Sequence, residues 1–153
     1  MNDTIKFTIF QKATGKATVH YTRSGIAYHT KSQKLNEQVL MAEMLPFRPP
    51  KPITDPVELY VYAYFAVPAS KPKWWQDAAL EGRIQYDKKP DGDNILKMLG
   101  DCLQKLQFIK NDSQIYYCTI IKEYSENACI NITLVTEKNV TKQEWDIIRK
   151  AKP

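Results

Sequence analysis

The sequence predicts a mixed α/β fold, α+β-like in character, in which helices pack on a largely antiparallel sheet. Segments with strand-like alternation or β-branched and aromatic enrichment are interspersed with segments whose apolar residues recur at helical spacing. The chain has 153 residues, 43% of them hydrophobic and 25% charged, which suits one compact domain with one core. We therefore expect a single domain over 1–153.

The pattern assigns an order to these elements. They are a strand over 4–10, a loop or loose hairpin over 11–31, a helix over 32–45, a central strand over 56–67, a short helix over 73–81, a helix over 94–106, two strands over 114–123 and 128–136 joined as an antiparallel hairpin, and a helix over 142–151. Residues 4–10 alternate apolar and polar, and 56–67 are rich in β-branched and aromatic side chains.

Capping signals and apolar spacing define the helices. Ser32 is the expected N-cap of the first long helix, with Leu35, Val39 and Ala42 on its inner face, and a proline-rich run follows it. In the helix over 94–106, Asp93 occupies the expected N-cap position, and the core-facing residues are Ile95, Leu99, Cys102, Leu103 and Leu106.

The last helix carries its own signals. Thr141 and Glu144 have capping-box spacing, and Trp145 and Ile148 supply an apolar face.

Charge and cysteine content limit the functional class. Lys and Arg total 22 against 17 acidic residues, a formal net charge of +5 that is compatible with a polyanionic partner. The three cysteines form no CxxC pair, as expected for buried, reduced thiols in a cytosolic protein. No apolar stretch is long enough to span a membrane, and the first six residues lack the pattern of a secretory signal.

The most informative segment is Lys89-Pro90-Asp91-Gly92-Asp93-Asn94-Ile95-Leu96-Lys97. Asp91 and Asp93 stand two residues apart where an irregular segment becomes a helix, so both carboxylates can point the same way. Paired carboxylates suit a hard cation such as Mg²⁺. Taken alone, the same residues are also compatible with a turn and a helix cap.

Two further residues extend this cluster along the chain. Lys97 lies on the helical face of Asp93, and either forms a surface ion pair or contacts a phosphate. Asp101 lies one turn further along that face. Asp112 precedes the next predicted strand and is a candidate third carboxylate, provided the hairpin brings it beside the helix start.

Other sites are excluded on pattern. An EF-hand loop starting at Asp91 would place Ile95 and Cys102 at ligand positions. His20 and His29 lie far from the aspartates in sequence, which argues against zinc. The chain has neither a GxSxG elbow nor a Walker A loop.

The segment around Asp91 resembles the signature of the RusA family of Holliday junction resolvases, often carried by phages and prophages. The match continues into Asp101-Cys102-Leu103, and a second one covers Phe108 to Ile115. Weaker matches are Lys122-Glu123-Tyr124 and Tyr21 to Thr30. Together they cover most of residues 10–135.

The resemblance implies a Mg²⁺-dependent endodeoxyribonuclease, with Mn²⁺ as a substitute ion. It would act as a homodimer on four-way DNA junctions in the bacterial cytoplasm, by paired symmetric nicks in recombination and repair. Asp91, Asp93 and Asp112 would bind the metal, and Lys97 would be the catalytic lysine. Candidate DNA-binding residues are Lys71, Lys73, Arg83, Lys88 and Lys89.

The sequence departs from the family pattern at two places, and three alternative functions remain open. Asn111 replaces the first aspartate of the usual acidic pair, and residues 12–17 lack the family's arginine-rich motif. Trp74 and Trp75 either wedge into the junction or cover the core or a dimer interface. The alternative functions are a catalytically weak or inactive junction-binding protein, a broader flap or fork nuclease, and a phosphohydrolase that does not act on nucleic acid.

Overall fold

The computed structural model describes residues 3–16 and 20–153, and the rest of the predicted loop over 11–31, residues 17–19, lies outside them. The strands are β1 (Thr4–Ile9), β2 (His20–Tyr21), β3 (Ala27–Tyr28), β4 (Val57–Ala66), β5 (Ile115–Ser125) and β6 (Cys129–Thr136). The α-helices are α1 (Lys31–Met44), α2 (Lys73–Leu80), α3 (Gly92–Lys105) and α4 (Lys142–Ala151).

A four-stranded sheet in the order β1-β6-β4-β5 forms the centre of the described chain, and β2 and β3 form a separate two-stranded hairpin. β6 is antiparallel to both β1 and β4, whereas β4 and β5 are parallel. The mixed, largely antiparallel sheet with packed helices is confirmed. β4 is a central strand, as its composition predicts.

The predicted hairpin between β5 and β6 is wrong, because β4 lies between these two strands. β5 and β6 are therefore two strand spacings apart, about 9.6 Å, a distance that the three residues connecting them can span. Val67, the residue directly after β4, donates its backbone N–H to the carbonyl of Ser125 at the end of β5, 3.0 Å away. A short turn therefore does not require its two strands to pair.

The core lies between one face of the sheet and helices α1 and α3. β4 alternates buried residues with more exposed ones along its length. From α3, all five predicted core residues are buried, which confirms its inner face. The buried Cys102 thiol has its pKa raised to about 12, chiefly by desolvation. Cys118, by contrast, is exposed and Cys129 is half-buried, so the prediction of buried thiols is confirmed for Cys102 alone.

The inner face predicted for α1 is also wrong. Leu35 and Val39 are exposed, and the buried residues are Leu40 and Met44. The helix starts earlier than predicted because Thr30, rather than Ser32, is its N-cap, in a reciprocal capping box with Gln33. Apolar residues occur on several sides of α1, so their spacing alone does not select the buried side.

Helix α4 forms where predicted and has the predicted capping box of Thr141 and Glu144. Its apolar face, however, is not part of the core: Trp145 and Ile148 are each 46% exposed, and α4 buries no residue. No helix in the described ranges is both long and apolar enough to cross a membrane.

Candidate functional site

The start of α3 places Asp91 and Asp93 together. The helix begins at Gly92, so Asp91 rather than Asp93 takes the N-cap position, and the predicted cap is wrong by two residues. The Asp91 side chain makes no capping hydrogen bond. Asp93 lies in the first turn, where the helix dipole favours a negative charge. Both carboxylates are therefore available to a ligand, which favours the metal interpretation over a simple cap.

Lys97 lies beside this pair. Its Nζ is 3.6 Å from Oδ2 of Asp93, and the two side chains are 63% and 70% exposed. Such an exposed i,i+4 pair contributes little to stability. The ammonium group is therefore free to move toward a phosphate that approaches the carboxylates.

Residues 12–16 form one wall of the site. The Lys16 N–H donates to the Asn94 carbonyl at 3.0 Å, and the Lys16 ammonium pairs with Asp101. Gly15 approaches so closely that a Cβ there would lie 2.9 Å from the Asn94 Cβ. A groove lined by Lys12, Lys89 and Asp91, among others, runs along this contact. No sequence pattern indicates this requirement for glycine.

Asp112 does not join the pair within one chain, so the proximity expected from a β5–β6 hairpin is wrong. Its N–H donates to Oε1 of Gln104 at 3.0 Å, near the far end of α3. The eleven residues from Asp93 to Gln104 correspond to about 16 Å along the helix. Within residues 3–16 and 20–153, no three His, Cys, Asp or Glu side chains converge to hold a metal.

Asn111 and Gln114 have structural partners in this region. Asn111 Oδ1 accepts from the Ser113 N–H at 2.9 Å and caps a short 3₁₀ turn over Asp112–Gln114. Gln114 donates to the carbonyls of Ile53 and Asp55, each at 2.9 Å. These contacts hold the turn that carries Asp112 against the rest of the domain.

The segment entering the site is held from β5. Lys122 Nζ donates to the carbonyls of Lys88 and Pro90, at 2.9 and 3.1 Å. The Tyr86 hydroxyl donates to the Lys89 carbonyl at 2.7 Å. Burial raises the pKa of Tyr86, which keeps this hydroxyl protonated. The sequence pattern indicates no role for either side chain, although Lys122 belongs to one of the segments that resemble the family.

The predicted DNA-binding residues differ in their surroundings. Lys73 is paired with Asp77 at 2.6 Å, and Lys71 lies over the Trp75 ring, 5.0 Å from its centroid. Arg83, Lys88 and Lys89 are exposed, and only Pro90 separates the last two from Asp91.

The two tryptophans of α2 also differ. Trp75 packs edge-on against Tyr124, with ring centroids 5.3 Å apart, whereas Trp74 is 68% exposed. Of the two alternatives for the tryptophans, packing against the protein rather than wedging into the junction therefore fits Trp75.

Exposed carboxylates and a lysine at one helix start, in a chain of net charge +5, have the chemistry to bind a divalent cation and a phosphate. Comparison with known proteins gives the family. The model of the family described as Endodeoxyribonuclease RusA matches residues 10–135. The chain belongs to this family, and it is an endodeoxyribonuclease.

Two further proteins are similar to this chain. The uncharacterized protein YqaN of Bacillus subtilis (strain 168) is 28% identical over 137 residues, covering 86% of this chain and 96% of YqaN. The crossover junction endodeoxyribonuclease rusA of Lactococcus phage r1t is 32% identical over 79 residues. That match covers 52% of this chain and 53% of the phage protein.

Proposed function

We propose that this endodeoxyribonuclease resolves Holliday junctions in recombination and repair, by paired symmetric nicks that depend on Mg²⁺. The observation that carries the proposal is the pair Asp91 and Asp93 at the start of α3, with Lys97 3.6 Å from Asp93. We place its action in the bacterial cytoplasm, where its three free cysteines stay reduced. The name of the phage relative, a crossover junction endodeoxyribonuclease, supports branched DNA as the substrate.

The donor atoms present fit Mg²⁺, and Mn²⁺ as a substitute. Mg²⁺ is commonly bound through one or two carboxylates, with waters and substrate phosphate completing its coordination. Asp91 and Asp93 supply those carboxylates, neither of them occupied as a helix cap. What the ion supplies, when bound, is Lewis acidity toward the phosphoryl oxygens and a lower pKa for the attacking water.

Lys97 then acts on the phosphate itself. Its ammonium group leaves Asp93 and contacts a non-bridging oxygen of the scissile phosphate, where negative charge increases in the transition state. Lys88 and Lys89, exposed on the segment before Asp91, bind neighbouring phosphates of the same strand. The products carry 5′-phosphate and 3′-hydroxyl ends, so that paired nicks yield ligatable duplexes.

Asp112 completes the site from a second copy of the chain. It lies near the far end of α3 from Asp91, so a single chain cannot supply all three carboxylates to one ion. A two-fold dimer places the same surface of each copy against the other. It would also provide the two symmetric sites that paired nicking requires.

The exposed edge of β5 is the surface we propose for this dimer. β5 is the last strand of its sheet and spans eleven residues, of which Tyr116 and Tyr117 are exposed. A long, uncovered edge strand favours pairing with another chain. If two β5 strands pair antiparallel around Tyr117, Asp112 of one copy lies opposite Lys122 of the other. Lys122 contacts the Pro90 carbonyl, next to Asp91.

The test is cleavage of a synthetic four-way junction with and without Mg²⁺, reading nick positions on all four strands. We expect symmetric nicks with Mg²⁺, none with a chelator, and none from Asp93→Asn. Asp146→Asn is the matched control, since it removes the same charge from α4, where Asp146 pairs with Lys142. Undiminished nicking by Asp93→Asn would refute the mechanism.

The same assay with flap, fork and linear duplex substrates tests the substrate class. We expect the junction to be cut fastest and the linear duplex to remain uncut. Equal rates on flaps and forks would instead indicate a broader branched-DNA nuclease. Tight junction binding without any cleavage would indicate a catalytically inactive binding protein.

A further inference from the structure

Lys122 is buried on one side by the segment that enters the metal site. It extends from β5 and gives two of its three ammonium protons to the carbonyls of Lys88 and Pro90. The same Nζ lies 5.2 Å from the centroid of the Tyr86 ring, within the range of a cation–π contact. A flexible, charged side chain is thus held by three contacts at one place.

Tyr86 binds the carbonyl between these two. Its hydroxyl donates to Lys89, so the carbonyls of three consecutive residues, 88 to 90, are each held by a side chain. The Tyr86 ring is itself fixed, stacked 3.9 Å from Phe65 and packed edge-on against Tyr124 at 5.2 Å. Lys122 is therefore anchored in the sheet, and Tyr86 is packed against it.

β5 also fixes the other side of Asp91. A Cβ added at Gly92 would lie 3.1 Å from Cγ2 of Ile120, so the first turn of α3 packs closely on this strand. Asp91 is thus held between Pro90, bound by Lys122, and Gly92, packed on Ile120. These two β5 residues are two positions apart and point to the same side of the sheet.

We propose that Lys122 is a positioning residue for the metal site, acting with Tyr86 through the backbone of residues 88–90. The inference rests on the proposed function, since it assigns Lys122 to the site formed by Asp91 and Asp93. The segment has no helix or sheet hydrogen bonds of its own to fix it, so Lys122 and Tyr86 determine where the Asp91 carboxylate lies. Removing contacts that orient a metal ligand typically changes the affinity for the metal.

The experiment measures Mn²⁺ binding to the DNA-free protein by the decrease in the electron paramagnetic resonance signal of the free ion. We expect Lys122→Met, which keeps the length of the side chain, to weaken Mn²⁺ affinity about tenfold. Lys122→Arg should restore most of it, because the guanidinium can donate to both carbonyls. Tyr86→Phe keeps the ring and loses only the hydroxyl, so it should weaken affinity less, in the same direction.

The matched control is Lys6→Met, the same substitution at an exposed position on β1, at the opposite edge of the sheet. It should bind Mn²⁺ as the unmodified protein does. Wild-type affinity in both Lys122→Met and Tyr86→Phe, or an equal loss in Lys6→Met, would overturn the inference while leaving the metal site intact. Absence of Mn²⁺ binding by the unmodified protein would overturn the proposed metal site as well. If Lys122→Met does not fold, Tyr86→Phe decides the question.

Discussion

Asn111 departs from the acidic pair that the resemblance implies, and the structure gives it a capping role. Its Oδ1 accepts from the Ser113 N–H, and the Gln114 side chain accepts from its backbone N–H. Asparagine and aspartate are equally good in this position. The departure from the family pattern therefore does not imply a weakened metal site.

The substitution Asn111→Asp tests this interpretation. We expect the free energy of unfolding to change by less than about 0.5 kcal/mol, because the cap is kept. Mn²⁺ affinity should also stay the same, since residue 111 is not a ligand. Urea denaturation and the Mn²⁺ titration provide the two measurements. A marked gain in affinity would contradict the capping role and make residue 111 a ligand position.

We expect Lys97 to contribute to catalysis but little to the stability of the fold. Replacing it by methionine breaks only an exposed ion pair, so stability should change by less than about 1 kcal/mol. The single-turnover cleavage rate should fall by about 10²–10³-fold, the usual effect of losing one group that stabilises transition-state charge. Junction binding in the absence of Mg²⁺ should be nearly unchanged. A rate within a few-fold of the wild-type value would leave Lys97 with only its ion pair to Asp93.

The local part of the site could be predicted from the sequence because it depends on spacing alone. Asp91 and Asp93 are two residues apart at a helix start, and Lys97 follows one turn after Asp93. Helical geometry brings these groups together whatever the rest of the fold does. The positioning by Lys122 could not be predicted in the same way, because it depends on where β5 lies relative to residues 88–90.

At the scale of elements, α3 and α4 show how burial decides what an amphipathic pattern means. Both helices have a clear apolar face, but only α3 packs on the sheet. α3 follows a segment whose three carbonyls are held by Lys122 of β5 and by Tyr86, whereas α4 follows β6, an inner strand of the sheet. The pattern predicts that a helix forms and which face is apolar. It does not determine what covers that face.

Matched truncations in the two helices should therefore differ widely. Leu99→Ala in α3 removes a side chain that is 1% exposed, and we expect it to cost about 2–5 kcal/mol of unfolding free energy. Ile148→Ala in α4 should cost less than about 0.5 kcal/mol, as expected for a surface position. Urea denaturation of both variants at the same protein concentration gives the comparison. A large loss from Ile148→Ala would mean that a partner covers α4 in solution.

At the scale of the whole molecule, the position of Asp112 depends on the order of the strands. A hairpin of β5 with β6 would have left the start of β5 free to lie beside the helix start. Instead β4 separates the two strands, and β5 runs alongside α3 with Ile115 near Gly100 and Ile120 near Gly92. Strand order is set by long-range pairing that short turns do not specify. The sequence therefore predicts the carboxylate but not its place in the fold.

A mixed dimer tests whether Asp112 acts across the two-fold axis. Asp93→Asn and Asp112→Asn should each be inactive alone. When they are unfolded together and refolded in equal amounts, about half of the dimers contain one chain of each kind. If the site is shared, each mixed dimer has one site with both substitutions and one with neither.

Such a dimer should regain Mg²⁺-dependent nicking, but on one strand of the junction at a time, so that nicked junctions accumulate rather than resolved duplexes. The measurement is the ratio of nicked to resolved product on a junction labelled on all four strands. If each chain instead formed its site alone, every site in the mixture would carry one substitution, and the mixture would be as inactive as its parents. Size-exclusion chromatography of the refolded sample checks that dimers have formed, so an inactive mixture of dimers would refute the shared site.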